Sequence, residues 1–138
     1  MWDYADVYKK SQFAYSYVTL HEWIYKKQKG KTFEKFLKDK GIYNIALYSY
    51  GTLGSIFLPE FLKSNIKVSY IIDKNSQRLP EFINEIPVVN INEINEYKNS
   101  DAIVVCHVYY YNSIVDDLTR LGINEDKIIS LNDIVFSI

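Results

Sequence analysis

Tyr43-Asn44-Ile45-Ala46-Leu47-Tyr48-Ser49-Tyr50-Gly51-Thr52-Leu53-Gly54 is the stretch on which the fold turns. An apolar run from Tyr43 to Tyr48 gives way to a glycine-containing turn, after which Leu53, Ile56, Phe57, Phe61 and Leu62 recur at helical spacing. Strand, glycine turn and helix together open a βαβ unit. A second β-branched run, Val68 to Ile72, closes at the loop signal Asp73-Lys74-Asn75, and Pro87-Val88-Val89 forms a third. Asn90 with Glu93 three residues on predicts a capped helix over Ile91 to Tyr97. Ala102 to Cys106 is a fourth strand. Ser113 to Leu121 is a helix with Ile114, Val115, Leu118 and Leu121 inward, and Lys127 to Leu131 is a fifth strand before a tail or short helix. Strands alternating with helices at this spacing predict an α/β fold, a Rossmann-like doubly wound parallel sheet of order 3-2-1-4-5. Pro59 lies inside the helix after the glycines, where a kink or a late helix start is expected.

Upstream, Ala5 to Gln28 reads as one long helix, with Phe13, Tyr17, Leu20 and Ile24 as its core stripe. Gly30 stops it, and Lys26, Lys27 and Lys29 form a solvated basic end that suits the helix dipole. Thr32 is placed to cap a short helix carrying Phe33, Phe36 and Leu37, which stops at Gly41. The organisation expected is an N-terminal helical extension over 1–41 and a Rossmann-like domain over 42–138. The 138 residues suit one domain and leave no room for a second of ordinary size.

The glycine loop carries the chemistry. In a dinucleotide-binding turn the first glycine makes the turn, the second lets backbone approach pyrophosphate, and the third lets helix and strand pack closely. Ser49 stands at the first position, with Gly51 and Gly54 at the second and third. Ser49, Tyr50, Gly51, Thr52 and Gly54 therefore form a candidate phosphate cradle at a helix N-terminus. Asp73 ends the next strand, where a carboxylate accepts the hydroxyls of a ribose. The competing view is that the glycines only permit packing and that Asp73 is a turn residue.

His107 follows the fourth strand and can hydrogen-bond a ligand or act as a general base, or be a half-buried histidine satisfied by backbone. Cys106 reads as a small core residue against a reactive thiol. Tyr109 to Tyr111 line either the ligand crevice or an interface. No catalytic residue is assigned, and no metal site is expected, since His21 and His107 are far apart in sequence and no ligand cluster accompanies them.

The net charge of −1 argues against a nucleic-acid partner. No apolar run nears the roughly 18 residues that span a bilayer, and the N-terminus lacks a signal-peptide pattern. With a single cysteine, Cys106, a cytoplasmic location is expected. The 13 Tyr, 7 Phe and 2 Trp exceed what one small core readily hides, which points to a homodimer through the first helix.

From Trp23 to Val135 the chain resembles small Rossmann-like domains of bacterial capsule and cell-surface polysaccharide biosynthesis. The matching segments are Gln28-Lys29-Gly30-Lys31, the Ile45 to Gly54 strand and loop, Val68 through Asp73-Lys74-Asn75, Ile86 to Val89, Asp101 to Val105, and Ile128 to Ile134. It is similar to the domain preceding the β-helix of sugar acetyltransferases and to domains appended to glycosyltransferases. The resemblance implies a nucleotide, dinucleotide or nucleotide-sugar ligand, NAD or a UDP-sugar, near Gly51, Gly54 and Asp73, and a glycosyltransferase as a partner. That family usually has glycine where Ser49 stands, which leaves room for an interaction module that has lost its ligand; a third reading is a nucleotide-sugar-modifying enzyme using His107.

Overall fold

The computed structural model describes residues 12–97, 99–107 and 109–138. Helix α1 (Gln12–Gln28) and helix α2 (Phe33–Asp39) lead into strand β1 (Asn44–Tyr48), helix α3 (Thr52–Lys63) and strand β2 (Lys67–Ile72). A short hairpin, β3 (Phe82–Ile83) with β4 (Ile86–Val89), follows. Then come β5 (Ala102–Val105), helix α4 (Tyr111–Arg120), β6 (Ile128–Ser130) and helix α5 (Leu131–Ser137). The sheet runs β3-β4-β2-β1-β5-β6. Every neighbouring pair is parallel except β3 with β4. The five parallel strands take the doubly wound order expected from the sequence, and β3 is an antiparallel edge too short to be read there.

Period-two alternation in β1 splits the core into two layers. Ile45 and Leu47 face α1, α2, α3 and α5, whereas Ala46 and Tyr48 face α4 and the Ile91–Tyr97 segment. That segment is a 3₁₀ helix rather than an α-helix, although its cap is as expected: the Asn90 amide donates to Glu93 Oε1 at 3.3 Å, and Asn92 donates to Asn90 Oδ1 at 3.0 Å. Thr32 precedes α2 but makes no side-chain cap bond. Helix α3 begins at Thr52, directly after the loop, and continues through Pro59 to Lys63 without the expected late start. Its buried face is Leu53, Gly54, Phe57, Leu58 and Phe61, and Ile56 and Leu62 face outward.

Helix α1 presents a different face from the one its apolar pattern suggests. Phe13 is 88% exposed, and Tyr17 and Ile24 are also exposed, while Val18, Thr19 and Trp23 are buried and Leu20 is half-buried. Two distant contacts decide the rotation. Thr19 Oγ1 donates to Asn132 Oδ1 on α5 at 2.7 Å, and the Trp23 ring stacks on Phe33 at 4.1 Å between centroids. The helix end is also less free than a solvated basic run. Lys26 Nζ donates to the carbonyls of Phe136 and Ile138, and Lys27 meets Glu60 at 2.7 Å. Residues Ala5 to Ser11 of the expected helix lie outside the described residues.

This rotation makes a measurable difference between two aromatic truncations. Trp23→Ala should cost about 3–5 kcal/mol in urea unfolding, as for other buried aromatics. Phe13→Ala should change stability by no more than about 0.5 kcal/mol.

Candidate functional site

The register of the three central strands brings the first residue after each to one edge. Tyr48 pairs with Ile72 on one side and with Val105 on the other, so Ser49, Asp73 and Cys106 emerge level with one another. Backbone bonds carry the pairing one step past the strands: Ser49 N donates to Ile72 O at 2.7 Å, and Cys106 N donates to Tyr48 O at 2.9 Å. This is the carboxyl edge: the chain passes from β1 to β2 on one side and later crosses from β4 to β5 on the other, which makes it the switch point at which open α/β sheets hold ligands.

Ser49 occupies the turn position with φ +79°, a left-handed conformation that suits glycine and costs a serine about 1–2 kcal/mol. Its carbonyl points into the space a side chain on Gly54 would need. A Cβ built on Gly54 overlaps the Ser49 carbonyl oxygen and lies 3.1 Å from its carbon. Gly54 is therefore demanded by the packing of α3 on β1. Gly51 is not, because a Cβ there would meet only Ser49 Oγ, at an ordinary 3.7 Å. Gly51 is the N-cap residue of α3, and its side-chain face is open. No side chain caps α3, and its first intrahelical bond runs from Ser55 N to Gly51 O, leaving the amides of the first turn for an anion.

Asp73 is half-buried and bonded twice, once within its own turn and once to the glycine loop. Oδ2 accepts from the Tyr50 amide at 2.9 Å, and Oδ1 accepts from the Asn75 amide at 2.8 Å. The carboxylate ties the glycine loop to the end of β2. Each oxygen keeps a lone pair, so two acceptor positions remain for ribose hydroxyls. Tyr50 thus contributes its amide to Asp73 rather than to phosphate.

Two cavities flank the loop and share Ser49 and His107 as a common wall. One, about 360 Å³, lies between the end of β2 and the start of α4, lined by Tyr48, Asp73, Asn75, Tyr110 and Ile114 among others. The other, about 210 Å³, lies between Gly51, Thr52 and the α1 residues Gln12, Tyr15 and Ser16. A larger groove of about 780 Å³ opens at the opposite edge, beside Gly41, Asp101 and Ile128, away from the glycine loop.

His107 Nδ1 is buried and has no hydrogen-bond partner among the described residues. Burial lowers the imidazole pKa, an effect its own backbone and the Asp73 charge partly oppose. His107 thus sets a buried nitrogen, unpartnered among the described residues, at the wall that the two cavities share. Cys106 is 3% exposed and burial pushes its thiol up to about 12, so it packs as a core residue and is not a thiolate nucleophile. No cluster able to hold a metal ion occurs among the described residues, and no helix among them is long and apolar enough to cross a membrane. The sequence reading gathered Ser49, Tyr50, Gly51, Thr52, Gly54, Asp73 and His107 at one edge, and the structure does the same. It missed the walls supplied by α1 and the tyrosine at the end of β1, neither of which has a local signal.

A family model described as C2185-like, N-terminal matches residues 41–129. The chain belongs to that family. A redox-sensing transcriptional repressor, Rex, of Bacillus licheniformis is 31% identical over 97 residues, which cover 66% of this chain and 45% of the repressor. The chain thus spans less than half the length of that relative. A solved structure, RSP in complex with β-NAD+ and operator DNA, superposes with a TM-score of 0.48 at 22% identity over 70% of this chain and 54% of the other; so distant a likeness bears no weight here. The exclusion of nucleic acid drawn from net charge does not stand, because a relative sharing this unit is a transcriptional repressor. The charge of a shared unit does not describe the remainder of a protein more than twice its span. Neither relative's name carries the surface-polysaccharide context that the resemblance implied.

Two outcomes follow from this geometry. Gly54→Ala should destabilise the protein by several kcal/mol or abolish folding, Gly51→Ala should cost no more than about 1 kcal/mol as a weaker N-cap, and Ser49→Gly should stabilise by about 1 kcal/mol, all read from urea midpoints. His107, with its pKa lowered from 6.5, contributes stability that is complete above about pH 6.5 and declines as pH falls through the lowered value. Urea midpoints followed from pH 7.5 to 5 should fall more steeply for the wild type than for His107→Gln.

Proposed function

We propose that the chain binds an adenine dinucleotide of the NAD type across the carboxyl edge of its sheet, as a sensor or carrier rather than as a complete catalyst. The observation that carries this reading is the arrangement of Gly51, Asp73 and His107 around two adjoining cavities. Packing demands Gly54, whereas Gly51 at the N-cap of α3 leaves open space beside the first-turn amides. Pyrophosphate would lie over Ser49, Gly51 and Thr52 on the first-turn amides of α3. The adenosine ribose would meet Asp73, its base would enter the 360 Å³ cavity, and the second nucleoside would lie in the 210 Å³ cavity, with His107 between them. Helix α1 would take part in the site through Gln12, Tyr15 and Ser16, which line the second cavity. The relative named as redox-sensing fits a ligand whose oxidised and reduced forms differ only at the nicotinamide.

The same geometry favours NAD over NADP. Asp73 would repel a 2′-phosphate, and the neighbouring Lys74 is engaged by Asp117 at 2.9 Å instead of standing free to receive one. Titration calorimetry with NAD+, NADH, NADP+ and UDP-glucose tests the reading. NAD+ or NADH should bind, and NADP+ should bind at least about tenfold more weakly. Gly51→Val should abolish binding without lowering the melting temperature by more than a few degrees. Asp73→Ala should lose roughly tenfold to a hundredfold in affinity and also about 1.5–3 kcal/mol of stability, because its two amide bonds go with it. Binding of UDP-glucose in preference to both NAD forms, or no nucleotide binding at all, would overturn the proposal.

A further inference from the structure

Three tyrosine hydroxyls on the α4 side of the sheet can be compared. Tyr70 lies on β2 and its hydroxyl meets Ser100 Oγ at 3.3 Å. Tyr111 on α4 donates to the Ile128 carbonyl at 3.4 Å. Tyr48, at the end of β1, is only 3% exposed, and its hydroxyl is closed off from solvent with no hydrogen-bond partner among the described residues. A phenylalanine would fill the same space without leaving a buried polar atom, and the described residues give no reason for the oxygen. The stranded atom belongs to a residue that lines the 360 Å³ cavity. His107, which lines the same cavity, also has a buried Nδ1 with no hydrogen-bond partner among the described residues. The Tyr110 ring, 5.1 Å from the His107 ring, and Ile114 line the same cavity, giving it an aromatic and an aliphatic wall.

We propose that Tyr48 reads the nucleobase: its hydroxyl hydrogen-bonds the edge of a purine seated between Tyr110, Ile114 and the end of β2. This inference rests on the nucleotide reading above and adds to it the group that selects the base. Burial pushes the Tyr48 phenol up to about 12, with the charges of Asp117 and Asp73 adding to the rise, so the hydroxyl keeps its proton across the whole working pH range. It therefore offers both a donor and an acceptor, as the edge of a purine requires. The Lys74–Asp117 pair joins the loop after β2 to α4, the two elements on either side of the base cavity. The base thus enters a slot whose two sides are already linked.

The test compares wild type with Tyr48→Phe in calorimetric titrations with NAD+ and with ADP, which share the adenosine half, alongside melting curves without ligand. The expected result is an equal loss of about tenfold in affinity for both ligands, about 1.4 kcal/mol, with a melting temperature at or above that of the wild type. A structural role would move the melting temperature, whereas base recognition moves affinity alone. Unchanged affinity for both ligands would overturn the assignment of Tyr48 while leaving the nucleotide site standing, provided that Gly51→Val still abolishes binding. A variant that melts several degrees lower also overturns it, since the hydroxyl would then hold the fold together. If wild type binds neither ligand, the nucleotide reading fails and takes this inference with it.

Discussion

The Ser49 carbonyl occupies the space where Gly54 has no side chain, and the rest of the site depends on that contact. It sets how closely α3 approaches the end of β1, and hence the point at which the first-turn amides of α3 are presented beyond the sheet. The loop needs a left-handed residue to make this approach, and Ser49 takes that conformation at φ +79° although it carries a Cβ. The bond from the Tyr50 amide to Asp73 compensates on the next residue, fixing the loop to β2 through a charge-assisted contact. A strained serine followed by a clamped amide gives a glycine loop that is firm at its start and unobstructed at Gly51.

The strands and the loop were legible in the sequence because their signals are local. Unbroken apolar or β-branched runs mark β1, β2 and β5, as suits strands covered on both faces, and glycine spacing marks the turn. The rotation of α1 was not legible. Its sequence is apolar on nearly every side, with Phe13, Tyr15, Tyr17, Val18, Leu20, Trp23, Ile24 and Tyr25 within a few turns. The choice of face falls to contacts far along the chain, Thr19 with Asn132 and Trp23 with Phe33, which periodicity does not contain. The expected stripe through Phe13 and Tyr17 was the outward one.

The site shows the same division. Gly51, Gly54, Asp73 and His107 were recoverable from order along the chain, since each follows a strand in a known topology. The double occupation of Asp73 and the stranded hydroxyl of Tyr48 were not, because a tyrosine in an apolar run reads as core until its partners are examined. Net charge was the weakest guide. It describes the field of this unit and says nothing of what a larger protein built on it contacts.

The sheet order also bears on how the protein reaches its native state. β1 lies between β2, reached by one crossover, and β5, reached only after the β3–β4 hairpin and the 3₁₀ segment have been laid down. Parallel pairs of such wide separation along the chain form slowly, because loop closure must precede the contacts that reward it. Ser49 and Asp73 can come together once β1 and β2 pair, but His107 joins them only when β5 docks. The crevice is therefore absent from any partly folded form that lacks the β1–β5 pairing, and a ligand that fills it would discriminate sharply between a finished molecule and an unfinished one.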